Sequence, residues 1–384
     1  MRPSLAFHLD RVAGELSVPG MSTAPAPGSQ PLAPSAHADT YFHRLNRQTA
    51  TRLWINNPTP AEATWAIAQG AVSCTSNPTY VARMLKEDRV ASLACIDQAL
   101  RESSDDAVVA DLVQGRLLQR IMAIFAAEYD REPGRRGFVS VQGDPRFDTD
   151  SDHIITEVKR HRQLGRNYLA KIPATAAGLA AIEFCISEDL PCIATEVFSL
   201  SQALTVAELH RACSAKYNKR PILYLTHISG IFDDCLMDYA KTNHIDLPAD
   251  LLRQAGLIVA REQYRQITNR GYEGIVMLGG GARGTHHFTE VVGGTMHVTV
   301  NPNTVEDLVK SNPPVVDRIH ASVPASVVAE LCRALPDLSI ALVPGAQQPA
   351  EFEHYAPVKF FLAAFTKGWN ALLAEIAARR AART

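Results

Sequence analysis

From residue 50 onward, the chain alternates short apolar runs with longer segments whose apolar residues recur every three or four positions. The short runs predict buried strands, and the longer segments predict amphipathic helices. Helix-start signals follow nearly every short run, such as Pro60 with Glu62 after the first run and Thr175 after the fourth. The eight predicted strands span residues 52–56, 71–76, 137–142, 168–172, 192–197, 221–226, 274–278 and 297–300.

This order of elements predicts an α/β fold, and eight strand–helix units over about 330 residues are typical of a (β/α)8 TIM barrel. A doubly wound sheet is the alternative, because periodicity does not distinguish the two. Residues 108–125 predict an extra long helix between the second and third strands, and residues 360–376 predict an aromatic-rich helix at the C-terminus. The apolar stripe of this last helix predicts core packing, or else contact with the barrel mouth or with a second subunit in a homodimer.

Composition narrows the choice of function. The chain has 384 residues, of which 46% are hydrophobic, enough to build the core of such a barrel. Its formal net charge of -2, without basic blocks, argues against binding to nucleic acid or to a membrane surface. No apolar run approaches the ~20 residues that span a bilayer. The seven cysteines are scattered without a C-x-x-C pair, which predicts no disulfide framework and indicates a reducing, cytoplasmic setting.

The first forty residues differ from the rest of the chain. Residues 19–38 consist largely of Pro, Ala, Ser and Gly, and such a segment cannot bury enough apolar surface to offset the entropy of ordering. We therefore predict a disordered tail over residues 1–40 and a single barrel domain over residues 41–384. Met21 opens the tract, so either Met1 or Met21 could start the protein.

The fourth predicted strand carries Lys171 near its carboxyl end. Burying a lysine ammonium without a partner costs several kcal/mol, so this side chain faces either solvent or a cavity. In a cavity, desolvation would lower the pKa of the lysine and give the neutral amine that attacks a carbonyl. A strand-end lysine that extends into water is the other interpretation.

Reactive groups in a TIM barrel project from the carboxyl ends of the strands. Of the residues at those ends, only the lysine is a natural nucleophile. The rest are rich in amides and hydroxyls, which suits recognition of a polyhydroxylated carbonyl compound better than a metal or a nucleotide. The residues at the strand ends are Asn56, Asn77, Gln142, Lys171, Thr195, Thr226, His227 and Arg283.

Four segments at these ends resemble the successive strand motifs of the transaldolase family, which includes the fructose 6-phosphate aldolases. The resemblance runs from about residue 50 to about residue 310, in the family's order and spacing. The segments are Thr75-Ser76-Asn77-Pro78-Thr79, Ser140-Val141-Gln142-Gly143-Asp144-Pro145-Arg146, Ala170-Lys171-Ile172-Pro173-Ala174-Thr175 and Thr195-Glu196-Val197-Phe198-Ser199-Leu200-Ser201-Gln202-Ala203.

The resemblance implies a (β/α)8 barrel and a class I aldolase that uses no metal or other cofactor. Lys171 would form a Schiff base with a ketose donor and hold a three-carbon dihydroxyacetone unit. Asn77, with Thr75 and Ser76 beside it, would bind the hydroxyls of the donor, and Thr195 would help to hold a catalytic water.

Two positions depart from the family pattern. The acid expected on the first strand falls on Asn56, and the glutamate expected on the third strand falls on Gln142. An amide cannot accept or release a proton at neutral pH, so both usual acid/base groups are replaced. His227 occupies the strand-six position of a family tyrosine and is a candidate proton carrier, although a packed histidine is the alternative. Glu196 is a second candidate, but strand alternation predicts that it points toward the helices.

An anion site is predicted after the seventh strand. There the glycine-rich segment of residues 279–284 contains Gly281 and Arg283, and backbone N–H groups beside an arginine can bind a phosphate or carboxylate. A flexible loop is the other interpretation. The strand-six arginine that the resemblance implies falls on Gly230, while Thr226 at the same strand end is a candidate substrate contact. Histidines 286, 287 and 297 predict no metal site, since neighbours on an extended loop point to opposite sides.

These residues lead to three functional hypotheses. The first is a transaldolase-like aldolase acting on a ketose or ketose phosphate in carbohydrate metabolism, such as the pentose phosphate pathway. The second is a non-catalytic protein that binds sugar phosphates on a barrel whose acid/base pair has been lost. The third is a specialised enzyme that forms carbon–carbon bonds on an unusual sugar or a secondary-metabolite precursor.

Overall fold

Eight parallel strands form a closed barrel in the computed structural model, which describes residues 39–383. Each strand pairs with its neighbour in sequence, and the first also pairs with the eighth, with Trp54 opposite Thr299. The predicted TIM barrel is thereby confirmed, and this closure excludes the doubly wound alternative. Of the predicted tail, only residues 39 and 40 lie within the described residues.

All eight predicted strands are present, with ends that differ from the predicted ones by up to two residues. The difference that matters most is in the fifth strand, which ends at Thr195, two residues earlier than predicted. The strands are β1 (Arg52–Asn56), β2 (Ser73–Thr75), β3 (Val139–Val141), β4 (Tyr168–Pro173), β5 (Cys192–Thr195), β6 (Leu223–His227), β7 (Ile275–Gly279) and β8 (Met296–Val300).

Large side chains fill the inside of the barrel. Trp54, Phe138, Leu169, Ile193 and Tyr224 belong to one buried cluster, to which β1, β4, β5, β6 and the residue just before β3 each contribute an inward-facing side chain. Their neighbours along each strand face outward and pack against the surrounding helices. This packed layer closes the barrel on its amino-terminal side, so the next inward-facing residues along the strands are at the open, carboxyl-terminal end.

Helices surround the barrel, and their starts follow the predicted capping signals. Thr175 Oγ1 accepts a hydrogen bond from the backbone of the helix that follows β4, and Ser199 does the same after β5. Within residues 39–383, no helix is both long enough and apolar enough to cross a membrane. The helices are α1 (Tyr41–Gln48), α2 (Pro60–Ala68), α3 (Tyr80–Glu87), α4 (Arg89–Ala99), α5 (Asp106–Arg131), α6 (Ser151–His161), α7 (Ala176–Ser187), α8 (Leu200–Tyr217), α9 (Ser229–Thr242), α10 (Ala249–Leu252), α11 (Ala255–Asn269), α12 (His286–Thr289), α13 (Pro302–Ser311), α14 (Ala325–Ala334), α15 (Pro336–Leu342) and α16 (Ala356–Ala381), with short 3-10 turns at Pro145–Phe147 and Pro349–His354.

The two additional helices of the sequence analysis are α5 and α16. Asp105 caps α5, which packs against α2, α4 and α16. The apolar stripe of α16 contacts α3, α5 and α9 of the same chain, so it lies across the open end of the barrel. Of the interpretations considered for this helix, core packing and contact with the barrel mouth both apply.

Candidate active site

The carboxyl ends of the strands surround a cavity of ≈ 570 Å³, whose wall includes Phe361 and Phe365 of α16. Three residues of the predicted site, Ser76, Gln142 and His227, are not part of the cavity wall. The other predicted residues line the cavity together. They are Asn56, Thr75, Asn77, Lys171, Thr195, Thr226, Gly281 and Arg283.

Lys171 points into the cavity from β4 and is almost fully buried. Its Nζ donates a hydrogen bond to the carbonyl oxygen of Ser76 at 3.3 Å and lies 5.5 Å from the centre of the Phe365 ring. Burial lowers the pKa of Lys171 to about 8, although the nearby carboxylates of Glu196 and Asp148 act in the opposite direction. Roughly one-tenth of the amine is therefore neutral at pH 7.

The side chain of Glu196 lies toward Gln142 and Lys171, contrary to the expectation from strand alternation, although it is not part of the cavity wall. Its φ of 65° is left-handed, so the extended geometry of β5 stops at Thr195 and the alternation no longer applies. The side chain reaches Gln142, whose Nε2 donates a hydrogen bond to Glu196 Oε1 at 3.4 Å. Burial raises the pKa of Glu196 to about 8, while the Lys171 charge and the Gln142 hydrogen bond act to lower it.

Asp148 is a third ionisable group near the lysine, and the sequence analysis did not identify it. It follows the 3-10 turn at Pro145–Phe147 and is buried. Burial and the neighbouring Glu196 carboxylate raise its pKa well above the usual range. Its only sequence signal was a pair of aspartates before α6, of which Asp150 is the one that caps the helix.

Several buried polar atoms cluster at the ends of β3 to β6. Among the described residues, these atoms have no protein hydrogen-bond partner, although each belongs to a buried side chain. Buried polar groups in folded proteins are nearly always paired with protein, water or ligand. These atoms therefore mark a place where water or substrate hydroxyls bind. They are Gln142 Oε1, Asp148 Oδ2, Thr195 Oγ1, Glu196 Oε2 and Thr226 Oγ1.

A hydrogen-bond network fixes Asn77 at the cavity wall. Its Oδ1 accepts from Asn57 Nδ2 at 3.1 Å and from Thr79 Oγ1 at 2.6 Å. Because the carbonyl side of the amide is held in this way, its orientation is set before any ligand binds. The side chain of Ser76, unlike that of Asn77, is not available to a ligand, because its hydroxyl donates to the carbonyl oxygen of Ser140 at 2.5 Å. Ser76 therefore contributes to the site through its backbone carbonyl, which accepts from the lysine.

A second network holds Asn56 at the end of the neighbouring strand β1. Its Oδ1 accepts from Thr75 Oγ1 at 2.9 Å, and its Nδ2 donates to Asn301 Oδ1 at 2.9 Å. Thr75 Oγ1 is also 2.6 Å from Thr299 Oγ1. The position predicted to carry an acid in the family is thus part of a neutral array of amides and hydroxyls.

His227 does not face the cavity. It follows Thr226, which does, so alternation along β6 turns the imidazole outward between Phe198 and Phe232. Nδ1 is 3.0 Å from the carbonyl oxygen of Val197, and burial lowers the pKa of His227 to about 4. A neutral, packed imidazole on the helix side of the strand cannot exchange protons with a substrate in the cavity. The hypothesis that His227 carries the proton is therefore wrong, and the packed alternative holds.

Arg283 lines the rim of the cavity but is already ion-paired. Its Nε donates to Asp234 Oδ2 at 2.7 Å, and its Nη1 donates to the carbonyl oxygen of Gly281 at 3.0 Å. Gly281 has a φ of 67°, where a side chain would also collide with Ile228. At Gly230, a Cβ would lie 2.0 Å from the Gly281 oxygen. An arginine therefore cannot occupy position 230 while this loop keeps its conformation.

The adjacent histidines 286 and 287 lie together, which corrects the expectation that they point to opposite sides. They begin the short helix α12, and their ring centres are 4.1 Å apart. His287 Nε2 is 2.8 Å from Asp233 Oδ2, and its Nδ1 accepts from the backbone N–H of Arg283 at 3.0 Å. Asp233, His286 and His287 lie close enough together to hold a metal ion. Both ring nitrogens of His287 are hydrogen-bonded, however, so the histidine acts here to fix the Arg283 loop.

Comparison with known proteins agrees with this arrangement. The family model of transaldolase and fructose-6-phosphate aldolase matches residues 53–341, which is most of the chain and includes the whole barrel. The chain belongs to this family.

Individual relatives of this transaldolase-family chain are distant. A transaldolase of Neisseria meningitidis serogroup C is 25% identical over 220 residues, which cover 50% of this chain and 59% of the relative. A transaldolase of Agrobacterium fabrum is 26% identical over 272 residues, covering 69% of this chain and 77% of the relative. One from Thermobifida fusca is 31% identical over 145 residues, covering 37% and 39% of the two chains. The match to the Neisseria relative thus spans less than two thirds of that protein's length.

Gln142 and Glu196 form an amide–carboxylate pair near the lysine. The strand-three position that the resemblance assigns to a glutamate carries Gln142, and the hydrogen-bond partner of Gln142 is the carboxylate of Glu196 on the next strand but one. The sequence analysis identified the missing acid and the neighbouring Thr195. It named Glu196 as a second candidate but assigned it to the helix side, because no residue pattern signals a glutamate with positive φ.

Proposed function

We propose that the protein is a class I aldolase of the transaldolase type, with Lys171 as the nucleophile. Its donor would be a ketose or a ketose phosphate, from which it transfers or releases a dihydroxyacetone-type unit. The observation that carries this proposal is one buried amine with a pKa near 8, facing a cavity lined by amides and hydroxyls. Membership of the transaldolase family supports the same conclusion.

The reaction follows the chemistry of a lysine amine and a ketone. The neutral amine adds to C2 of the donor, and loss of water gives a protonated imine. The C3–C4 bond then breaks as the C4 hydroxyl gives up its proton, an aldehyde leaves, and the electron pair moves to the imine nitrogen to form a neutral enamine. The enamine adds to a second aldehyde, or it takes a proton at C3 and hydrolyses.

The other cavity residues have positioning roles in this proposal. Asn77 and Asn56, both held by neighbouring side chains, would bind the hydroxyls of the donor. Thr195 and Gln142 have unpaired buried oxygens and would hold the water released or consumed at the imine. Arg283 would contact the phosphate of a phosphorylated donor. A cytoplasmic location is part of the same proposal, because all seven cysteines are free thiols in the structure.

Reductive trapping tests the proposal directly. The protein is incubated with fructose 6-phosphate or with dihydroxyacetone in the presence of borohydride, and its mass is then measured before and after proteolysis. We expect one three-carbon or six-carbon adduct on the peptide that contains Lys171 and loss of activity in proportion. Lys171→Met is the control, which should show no such adduct. The proposal fails if neither donor adds mass to Lys171, or if the same adducts form in the Lys171→Met variant.

A further inference from the structure

Schiff-base chemistry in this cavity needs a group that can both accept and donate a proton. Asn56 and Gln142 cannot do so because they are amides, and His227 faces away from the cavity. The ionisable groups that interact with Lys171 are the carboxyl groups of Glu196 and Asp148. Of the carboxylates that line the cavity wall, Glu62 is paired with Arg83, and Glu306 is exposed at the rim. Glu196 and Asp148, which lie next to the lysine, are therefore the candidates to carry the proton if the lysine is the nucleophile.

We propose that Glu196 is the catalytic acid/base of this site, a carboxyl group supplied by the end of strand β5 in place of one on strand β3. The proposal rests on the Schiff-base function proposed above. It identifies the group that moves the proton, and it explains why an amide at position 142 is compatible with activity.

The backbone at Glu196 supports this assignment. A non-glycine residue with φ near +60° costs on the order of 1 kcal/mol or more, and such strain tends to persist at functional sites. Here the strained conformation turns Glu196 from the helix side of the barrel to the lysine side. One carboxylate oxygen accepts the Gln142 hydrogen bond, and the other, Oε2, is buried without a protein partner. An unpaired carboxylate oxygen near the lysine is suited to bind the water or hydroxyl that exchanges a proton.

Asp148 is the weaker candidate because of its surroundings. Besides Glu196, the carboxylates of Glu157 and Asp144 act on it, and all three disfavour its ionised form. Lys171 favours the ionised form of both carboxyl groups, but at Asp148 its effect is smaller than those of burial and of the three carboxylates. At Glu196 it is the largest effect after burial, so the pKa of Glu196 and that of the lysine both lie near 8. A proton can pass between two such groups at little cost.

The proton balance of each step can be written with Glu196. During imine formation, the protonated carboxyl group gives its proton to the departing hydroxyl of C2, so water leaves and a carboxylate remains. During cleavage, that carboxylate accepts the proton of the C4 hydroxyl while the C3–C4 electron pair moves into the imine. When the enamine adds to an acceptor aldehyde, the carboxyl group returns the proton to the new C4 oxygen.

Glu196→Gln tests the inference, because it keeps the shape of the side chain and removes its proton exchange. We expect kcat to fall about 10²- to 10⁴-fold, the usual contribution of a general acid/base. Borohydride should still trap the donor on Lys171, since the nucleophile is unchanged. Asp307→Asn, at an exposed carboxylate of α13 outside the cavity wall, is the matched control and should change kcat little.

A swap variant separates loss of chemistry from loss of structure. Gln142→Glu combined with Glu196→Gln keeps one carboxylate and one amide in hydrogen-bond contact, with the carboxylate moved to β3. We expect kcat of this double variant to be at least tenfold higher than kcat of Glu196→Gln. Full activity of Glu196→Gln with normal trapping would overturn this inference alone, whereas absence of trapping in the wild-type protein would overturn the proposed function as well.

The pH profile gives a readout that does not require the variant to fold well. Lys171 of β4 and Asp148 are the titratable groups that face Glu196, and burial and neighbouring carboxylates raise the pKa of Asp148 well above its usual range. The reactive form carries one proton on the Lys171–Glu196 pair, so kcat/KM of the wild type should be bell-shaped and centred near pH 8. A single limb that rises to a plateau in the wild type would contradict the inference, because that is the profile of the lysine alone.

Discussion

Lys171 and Glu196 show how burial changes the chemistry of single residues. Either charge alone would cost several kcal/mol to bury. Burial therefore lowers the pKa of the lysine from 10.5 and raises that of the glutamate from 4.5, and each charge partly stabilises the other, so both values lie near 8. An amine that is partly neutral and an acid that is partly ionised are consequently present in the same pH range.

At the residue scale, we expect Arg283 to make only a small contribution to donor preference. It lines the cavity rim, but its ion pair with Asp234 already neutralises its charge and it is partly exposed, so its contribution to phosphate binding is small. We expect Arg283→Ala to raise KM for fructose 6-phosphate less than about tenfold and to leave KM for dihydroxyacetone unchanged. Arg253→Ala, at a largely exposed arginine, is the control. An equal rise in KM for both donors would show that Arg283 does not act through the phosphate.

At the scale of elements, α16 separates the site from water. Its far end is held to α4 and α5 by ion pairs of Arg379 with Asp97 and of Arg380 with Asp106. Nearer the cavity, Gly368 lies so close to Thr79 that an added Cβ would be 2.8 Å from the threonine methyl group. This close approach brings the helix over the cavity, where the Phe365 ring centre lies 5.5 Å from Lys171 Nζ and the ring contributes to the burial of the amine.

Phe365→Ala should therefore expose Lys171 to water and raise its pKa toward the ordinary value. We expect kcat/KM of the variant to be about tenfold below the wild-type value at pH 7. The difference should become smaller above pH 9, because the wild-type amine is already mostly neutral there and the neutral fraction of the variant's amine still rises. The melting temperature should also fall, because a large buried side chain is lost. The pH dependence of kcat/KM measures the effect.

Phe360→Ala is the control for this prediction. It removes the same side chain from the same helix, but the Phe360 ring is 36% exposed and is not part of the cavity wall. It should leave the pH profile of kcat/KM unchanged. If Phe365→Ala lowers activity by the same factor at every pH, then the helix supports the site only through stability and not through desolvation.

At the scale of the whole molecule, most of the architecture was predictable from the sequence. Strands of a TIM barrel are buried on both faces, so they appear as continuous apolar runs such as Tyr168–Pro173, and caps such as Thr175 mark the helices between them. Closure of the barrel was not predictable from the pattern alone. It depends on pairing between β1 and β8, which are far apart in the sequence.

The site was predictable only in part. Residues of regular strands, such as Lys171 and Thr195, lie where the strand ends predicted them. His227 was assigned to the wrong face, although alternation from the inward-facing Tyr224 to Thr226 would have turned it outward. Glu196 was also assigned to the wrong face, but here the reason is a left-handed backbone, which is uncommon for glutamate and is set by the tertiary structure.

The most direct test of the account is a titration of the Lys171 amine itself. NMR of protein with isotope-labelled lysine, with the resonance assigned by its absence in Lys171→Met, would follow the charge of this one amine as pH changes. The account predicts a midpoint near pH 8, because burial disfavours the ammonium. A midpoint at the ordinary value of 10.5 would mean that the amine is solvated and charged, and would contradict the proposed role of Lys171 as a nucleophile.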